Sequence, residues 1–315
     1  MQEIIIKKTM GKNLINVALF GLGRIGLMHA NNLINNKNFN LKYIFDVNRK
    51  LAKKVSKNLN CQNIESPQIA YKDKKIDCIF ISSTTSTHLK FIYESIKSNK
   101  TVFCEKPLAL DLDEIASIQE LSIKQKLNLH IGFNRRFDPD FQKLKKNIDD
   151  GVVGDIYQIT ITSRDPSPPS IDYIKESGGL FLDMTIHDFD MIRYLTNAEV
   201  DEIYVKGKCM VDPNIGKAGD IDTAIINTKL TNSVIASIIN SRKAVYGYDQ
   251  RIEILGSKGS LQVGNQLLHG INKGTERADL ISSIKLKKIH EKILKSQKVL
   301  LLSSKKLTTS TIHLL

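Results

Sequence analysis

A short apolar run ending on glycines constrains this chain more than any other feature. Residues Asn13 to Phe20 (NLINVALF) are β-branched and apolar, and they lead into Gly21-Leu22-Gly23-Arg24-Ile25-Gly26. Such a run fits a buried parallel strand, and Ile25 to Leu33 reads as the helix after it. A GxGxxG string alone arises by chance, but between a strand and a helix each glycine has a task. Gly21 permits the tight turn, and Gly23 lets the backbone approach a pyrophosphate whose charge sits at the helix N-terminus. Gly26 lets the helix pack closely on the sheet. Asp46 stands 20 residues past Gly26, after a second strand-like run, Leu41 to Phe45. A carboxylate there accepts hydrogen bonds from adenosine ribose hydroxyls and repels a 2′-phosphate. The pattern predicts a bound nicotinamide dinucleotide, NAD rather than NADP, with Arg49 as the feature that favours NADP. The competing reading is a glycine turn without a ligand and a surface Asp46.

The rhythm of strand and helix continues. Ile76 to Ser82 predicts a third strand, Leu89 to Ile96 a helix, Thr101 to Cys104 a fourth strand, Leu112 to Gln125 a helix and Leu127 to Phe133 a fifth strand. Alternation of this kind implies a parallel sheet with right-handed crossovers. From Asn134 the pattern changes. Ile156 to Ser163 alternates as a half-exposed strand does, Arg164 to Ser170 is a proline-rich loop, and Gly178-Gly179 breaks the chain before a helical stretch, Leu180 to Leu195. Strand-like segments follow at Glu202 to Lys208, Thr223 to Leu230 and Val234 to Ser241, and Arg251 to Leu255 pairs with Ser260 to Val263 around Gly256-Ser257-Lys258-Gly259. The fold class is therefore α/β. Residues 1–133 form a Rossmann domain with a parallel sheet, and 134–315 an α+β domain with a mostly antiparallel open sheet.

Composition narrows the partners. No apolar run reaches the roughly 18–20 residues that cross a bilayer, and the Met1 to Lys12 start has no signal-peptide pattern. Cys61, Cys78, Cys104 and Cys209 show no CxxC spacing, so buried free thiols are expected, with no metal site and no disulfide framework. These features suit the cytoplasm. The net charge of +13 raises the question of nucleic acid, but ten Lys/Arg against three Asp/Glu fall between Lys273 and Lys306. More than half of the excess is thus confined to one C-terminal stretch, and no nucleic-acid partner is expected.

Two strings carry chemistry. Glu105-Lys106-Pro107 follows the fourth strand, at the sheet edge where open α/β folds bind ligands. On its own the Glu-Lys pair reads as an ordinary surface ion pair. Gly178 to Asp188 (GGLFLDMTIHD) places Asp183 and His187 four apart, hence on one helix face. A carboxylate beside an imidazole orients it and stabilises its charged form, which suits His187 to accept a proton. A helix-start carboxylate beside a packed histidine is the equally open alternative.

The chain resembles the glucose–fructose oxidoreductase/inositol dehydrogenase/MocA family. The resemblance rests on GLGRIG at Gly21 to Gly26, EKP at Glu105 to Pro107, GFNRRFDP at Gly132 to Pro139 and SGGLFLDMTIHDFDMIRYL at Ser177 to Leu195. With SRDPSPP at Ser163 to Pro169, it is similar to the inositol 2-dehydrogenase branch. The resemblance implies oxidation of a ring hydroxyl of a cyclic polyol or sugar, with hydride transfer to the nicotinamide. It implies Lys106, Asp183 and His187 as catalytic residues, His187 being the base and Asp183 orienting it. The glycine loop, Asp46, Ser83, Thr84, His88, Glu105 and Lys106 would hold the cofactor, and Arg136, Asp165 and Tyr246 would face the substrate. It also implies a homo-oligomer, a tetramer built on the second-domain sheet.

Departures from the family pattern lie at the ends. Some nine residues precede the family's usual start, so Met10 is a candidate initiator. Leu267 to Leu315 lacks the aromatic-rich helices that family members carry there, and Ile281 to Leu302 forms only a poor amphipathic helix pattern. This tail supports one alternative from another class, a catalytically inactive dinucleotide-binding paralogue acting as a sensor or interaction module.

Overall fold

The computed structural model describes residues 14–126 and 128–264. The N-terminal extension, the tail from Leu267 with its predicted helix, and the basic stretch 273–306 lie outside these residues. The chain divides into two compact units that meet between Gly132 and Phe133.

The first unit runs β1 (Ile15–Phe20), α1 (Arg24–Ile34), β2 (Phe39–Phe45), α2 (Arg49–Leu59), β3 (Gln62–Asn63), α3 (Pro67–Lys72), β4 (Cys78–Ile81), α4 (His88–Lys97), β5 (Thr101–Cys104), α5 (Leu112–Gln125) and β6 (Leu129–Ile131). The six strands form one sheet in the order β3-β2-β1-β4-β5-β6. Every pairing is parallel. The strand order reverses between β1 and β4, and the crevice outside the carboxyl ends at such a point is where ligands bind.

Both faces of this sheet are buried, which explains its uninterrupted apolar strands. Ala18, Phe20, Tyr43, Phe45, Ile79, Ile81, Val102 and Cys104 pack on one side. Val17, Leu19, Leu41, Ile44, Cys78, Phe80 and Phe103 pack on the other. The two sets alternate residue by residue, as the period of a strand requires, except where an irregularity in β2 separates Leu41 from Tyr43. The helices of this unit match the sequence reading closely. It had not foreseen the six-residue α3, or α2, whose lysine-rich face masks an apolar stripe that buries only Ala52 and Val55.

The second unit runs α6 (Pro139–Asp149), β7 (Ile156–Arg164), α7 (Ile171–Ser177), α8 (Ile186–Thr196), β8 (Val200–Lys208), α9 (Pro213–Lys217), β9 (Thr223–Leu230), β10 (Ile235–Ser241), β11 (Asp249–Gly256) and β12 (Gly259–Gly264). Its sheet has the order β12-β11-β7-β10-β9-β8. All pairs are antiparallel except β7 with β10. One face is covered by helices, with Ile159, Ile161, Ala224, Ile226, Ala236, Ile238, Ile252 and Ile254 meeting Phe141, Leu144, Phe189, Ile192 and Leu195. The residues between them, Tyr157, Ile225, Ile235 and Leu255, lie on the uncovered side and are exposed.

The stretch expected as one helix from Leu180 to Leu195 is not uniform. Residues Phe181–Thr185 form a π turn that leads into α8. Such turns insert a wider loop of backbone into a helix and recur at functional sites. Asp183 lies within the turn and His187 just after it.

Candidate active site

Each unit presents its own cluster, and the clusters are described separately. In the first unit the glycine loop connects β1 to α1. Gly21 adopts φ +92°, and a Cβ there would lie 2.5 Å from the Ser83 amide nitrogen. A Cβ on Gly26 would stand 2.1 Å from the Gly21 carbonyl oxygen. Both glycines are thus required by the protein itself. Gly23 is different: a Cβ there would meet nothing within 4 Å. It caps α1 in an extended conformation, with no side chain accepting from the first turn and no acidic residue in it. The helix N-terminus therefore keeps open amides with free space before them, the cradle a pyrophosphate fits.

Asp46 follows β2, and its carboxylate accepts from the Leu22 amide at 2.7 Å through Oδ2 and from the Asn48 amide at 2.7 Å through Oδ1. The group expected at the ribose thus also holds the glycine loop. Each oxygen keeps a lone pair for a further donor. The Leu22 side chain is fully buried in the core, whereas Gly23 and Arg24 are exposed. Arg49, the residue that favoured NADP, donates from Nη1 to the Ile64 carbonyl at 3.1 Å and from Nη2 to the Glu65 carbonyl. Its guanidinium also stacks over Phe45.

The loop after β4 carries Ser83, whose hydroxyl pairs with that of Thr87 at 2.6 Å, and the exposed Thr84. His88 is only 1% exposed. Its Nδ1 faces the Pro107 carbonyl at 2.9 Å and its Nε2 the Ser83 carbonyl at 3.1 Å. With both nitrogens turned to backbone, the ring joins the Ser83 loop to the Lys106-Pro107 loop. Burial holds its pKa below the ordinary 6.5, and the two carbonyls counter part of that effect.

Glu105 and Lys106 follow β5 directly. The Glu105 carboxylate meets His29 Nε2 at 2.7 Å and accepts from the Lys106 amide at 3.3 Å. His29 is buried on α1, edge-on to the stacked rings of Phe80 and Phe103. Gly132 leaves room for this carboxylate, since a Cβ there would lie 3.0 Å from Oε1. The sequence reading missed His29. Its only signal was a histidine on the buried face of the helix that follows the glycine loop.

In the second unit Asp183 accepts from the Tyr173 hydroxyl at 2.8 Å through Oδ1 and from Arg242 Nη1 at 2.6 Å through Oδ2. His187, close by in sequence, stands perpendicular to Phe133 with ring centres 6.3 Å apart. The start of the turn is fixed by Gly179, at φ +76°, where a Cβ would lie 2.6 Å from Asp220 Oδ1, the same atom that accepts from the Leu180 amide. Behind this segment lies a buried polar network. Asp188 accepts from Arg135, from Ser163 at 2.6 Å and from Asn240 at 2.8 Å, and Thr185 donates to Asn240 at 2.6 Å. It ties α8 to the ends of β7 and β10. Tyr173, Arg242 and this network were not foreseen, because their partners lie from 10 to 59 residues away in sequence.

The remaining candidates occupy different surroundings from those expected. Arg136 donates to Asp190 from Nε at 2.8 Å and from Nη2 at 2.6 Å, and its guanidinium lies over Tyr194. That fork anchors the turn 134–137 to α8. The Tyr246 hydroxyl donates to Asp249 at 2.8 Å and accepts from Arg164 at 2.6 Å. Asp165 remains half-exposed, with Oδ2 4.0 Å from Arg242 Nη1. Among the described residues no group of three or more His, Cys, Asp or Glu could hold a metal.

Known proteins resemble this chain in sequence and fold. Residues 15–133 match the model of the oxidoreductase family with an NAD-binding Rossmann fold, and 141–262 match the GFO/IDH/MocA C-terminal domain. The myo-inositol 2-dehydrogenase of Thermotoga maritima is 44% identical over 80% of this chain and 75% of its own length. The chain belongs to the GFO/IDH/MocA family. The inositol 2-dehydrogenase of Rhizobium meliloti is 41% identical over 80% of the chain and 76% of its own length. The scyllo-inositol dehydrogenase of Lactobacillus casei, solved with NAD(H) and scyllo-inositol, superposes with a TM-score of 0.78 at 29% identity, covering 92% of this chain and 89% of that one. As a family member the protein is an oxidoreductase with an NAD-binding Rossmann domain. The two family matches contain Lys106 in the first unit and Asp183 and His187 in the second.

Proposed function

We propose that the protein oxidises a ring hydroxyl of a cyclic polyol, myo-inositol to its 2-keto form, using NAD. The observation that carries this reading is the joint presence of Lys106, Asp183 and His187 in a chain over 40% identical to two inositol 2-dehydrogenases. Held by the glycine loop and Asp46, NAD would supply the acceptor for the hydride that leaves the carbinol carbon. His187 accepts the hydroxyl proton, Asp183 orients and charge-balances it, and Lys106 donates a hydrogen bond to the reacting oxygen. Holding the alcohol in place accounts for several kcal/mol of such a barrier. Two features favour NAD over NADP: Asp46 stands where a 2′-phosphate would be repelled, and the Arg49 guanidinium is occupied; the open amides of α1 suit the pyrophosphate that both carry. Ser83 and Thr84 flank the cofactor, and Asp165 and Tyr246 face the substrate from the second-unit loops.

The relatives named above are dehydrogenases, which favours an active enzyme over a sensor. The exposed row of Tyr157, Ile225, Ile235 and Leu255 suits a homo-oligomer built on that sheet face. The four cysteines are free, which suits a reducing cytoplasm. Among the described residues no helix is long and apolar enough to cross a membrane.

The decisive experiment is a substrate panel on the full chain. Myo-inositol, scyllo-inositol and common aldoses are offered with NAD or NADP, and reduced nicotinamide is followed by absorbance. Turnover of an inositol with NAD is expected. No turnover of any member while NAD still binds would sink the proposal.

A further inference from the structure

The bulkiest fully buried side chain in the second unit is Arg242, and nothing in the proposed reaction yet uses it. It sits just past β10, where its amide donates to the Asp222 carbonyl at 2.8 Å. Its side chain is 1% exposed and stands among three carboxylates. Nη1 lies 2.6 Å from Asp183 Oδ2 and 4.0 Å from Asp165 Oδ2, and Nη2 lies 3.9 Å from Asp220 Oδ2. Only the bond to Asp183 is of hydrogen-bond length. Nε and Nη2 of Arg242 and Oδ2 of Asp220 are buried without a hydrogen-bond partner among the described residues.

A guanidinium cannot shed its proton to escape burial. Leaving two of its donor nitrogens unsatisfied in the interior is costly, so core stability alone gives a poor account of this residue. A better account follows from where its one strong bond goes. Asp183 lies on a π turn, which departs from regular α-helical backbone. Its two oxygens are held from two directions, by Tyr173 at Oδ1 and Arg242 at Oδ2. Two donors on different oxygens fix the plane of a carboxylate, and a charge-assisted donor fixes it more firmly than a neutral one.

We propose that Arg242 is a positioning residue for the dehydrogenation: from the end of β10 it sets the plane of Asp183 and, through it, the proton transfer at His187. The proposal rests on the reading of Asp183 as part of the reaction. Its prediction is a loss confined to turnover, since the glycine loop and Asp46 belong to the other unit.

The test is a double-mutant cycle on the full-length enzyme with myo-inositol and NAD, using R242Q, D183N and the double variant. R242Q is expected to lower kcat about 100-fold, the scale of a misplaced catalytic group, with the Kd for NAD within about twofold of wild type. The double variant is expected to be no worse than D183N, because Arg242 acts only through Asp183. Near-wild-type kcat in R242Q, or losses that multiply in the double variant, would overturn the proposal. An unimpaired D183N would instead overturn the role given to Asp183, so the two failures are distinguishable. If R242Q does not fold by its thermal melt, R242K keeps the charge but lacks the fork. It is then expected to lose about tenfold in kcat with NAD binding unchanged, and full activity in R242K would count equally against the proposal.

Discussion

The three glycines of the loop make different demands, and alanine substitution separates them. At Gly26 a methyl group would stand 2.1 Å from the Gly21 carbonyl oxygen, against the 3.4 Å at which ordinary contact begins. Helix and loop would have to part by about 1.3 Å, a distance that backbone in a packed core cannot yield freely. G26A is expected to cost about 1–3 kcal/mol of stability, as overpacking does, and to weaken NAD binding as a consequence. At Gly23 the same methyl group would meet nothing within 4 Å, and its φ of −64° and ψ of −173° suit alanine. Losing a glycine cap costs a few tenths of a kcal/mol, and reduced freedom of the unfolded chain returns a similar amount, so G23A is expected to melt within about 0.5 kcal/mol of wild type. If the space before Gly23 is where the pyrophosphate sits, that methyl group blocks it. A loss of at least about tenfold in NAD affinity, or about 1.4 kcal/mol, should follow. Thermal melts and titration with reduced cofactor measure both quantities on the same samples. A G23A protein that melts normally and binds NAD as tightly as wild type would refute the assignment of this loop to the pyrophosphate, whatever the fold.

Other perturbations test the neighbouring inferences. Burial holds the pKa values of His88 and His130 below 6.5, so below that pH the unfolded chain binds protons that the native state does not. The stability this represents is complete above about pH 6.5 and declines as pH falls toward the native values, so the urea midpoint should drop between about pH 7.5 and pH 5; a flat profile would contradict it. H88N, which breaks at least one arm of the bridge between the Ser83 and Pro107 carbonyls, should raise KM for NAD several-fold more than it changes KM for the polyol, as steady-state kinetics will show. Ile238 is fully buried on the covered face of the second sheet, so I238A should cost about 2–5 kcal/mol in denaturant unfolding. Paired substitutions I225K and I235K on the uncovered face should leave secondary structure intact by circular dichroism and lower the mass in light scattering; an unchanged mass would remove that face from the assembly.

What the sequence made legible is what depends on short-range pattern. The parallel sheet could be read because both its faces are buried, so β1, β4 and β5 are largely apolar runs, whereas β3, only Gln62–Asn63, carries no such signal. The bounds of α5 and of the hairpin β11–β12 follow from a helix-capping Asp111 and from the Gly256-Ser257-Lys258-Gly259 turn. Gly21 and Gly26 were legible too, since the reasons for them lie within one turn of chain and one neighbouring strand. The misses share a different cause. The ring of His88 and the guanidinium of Arg136 are held by the Ser83 and Pro107 carbonyls and by Asp190, partners that residue type and spacing do not reveal. Arg242 is the converse case. A lysine- and arginine-rich chain hides one arginine that is almost wholly enclosed, and nothing local distinguishes it, because the three aspartates around it stand up to 77 residues away in sequence. A site of this kind is read from sequence only as far as its reacting groups. The groups that aim them belong to the tertiary structure, and the experiment on Arg242 asks how much of the turnover depends on them.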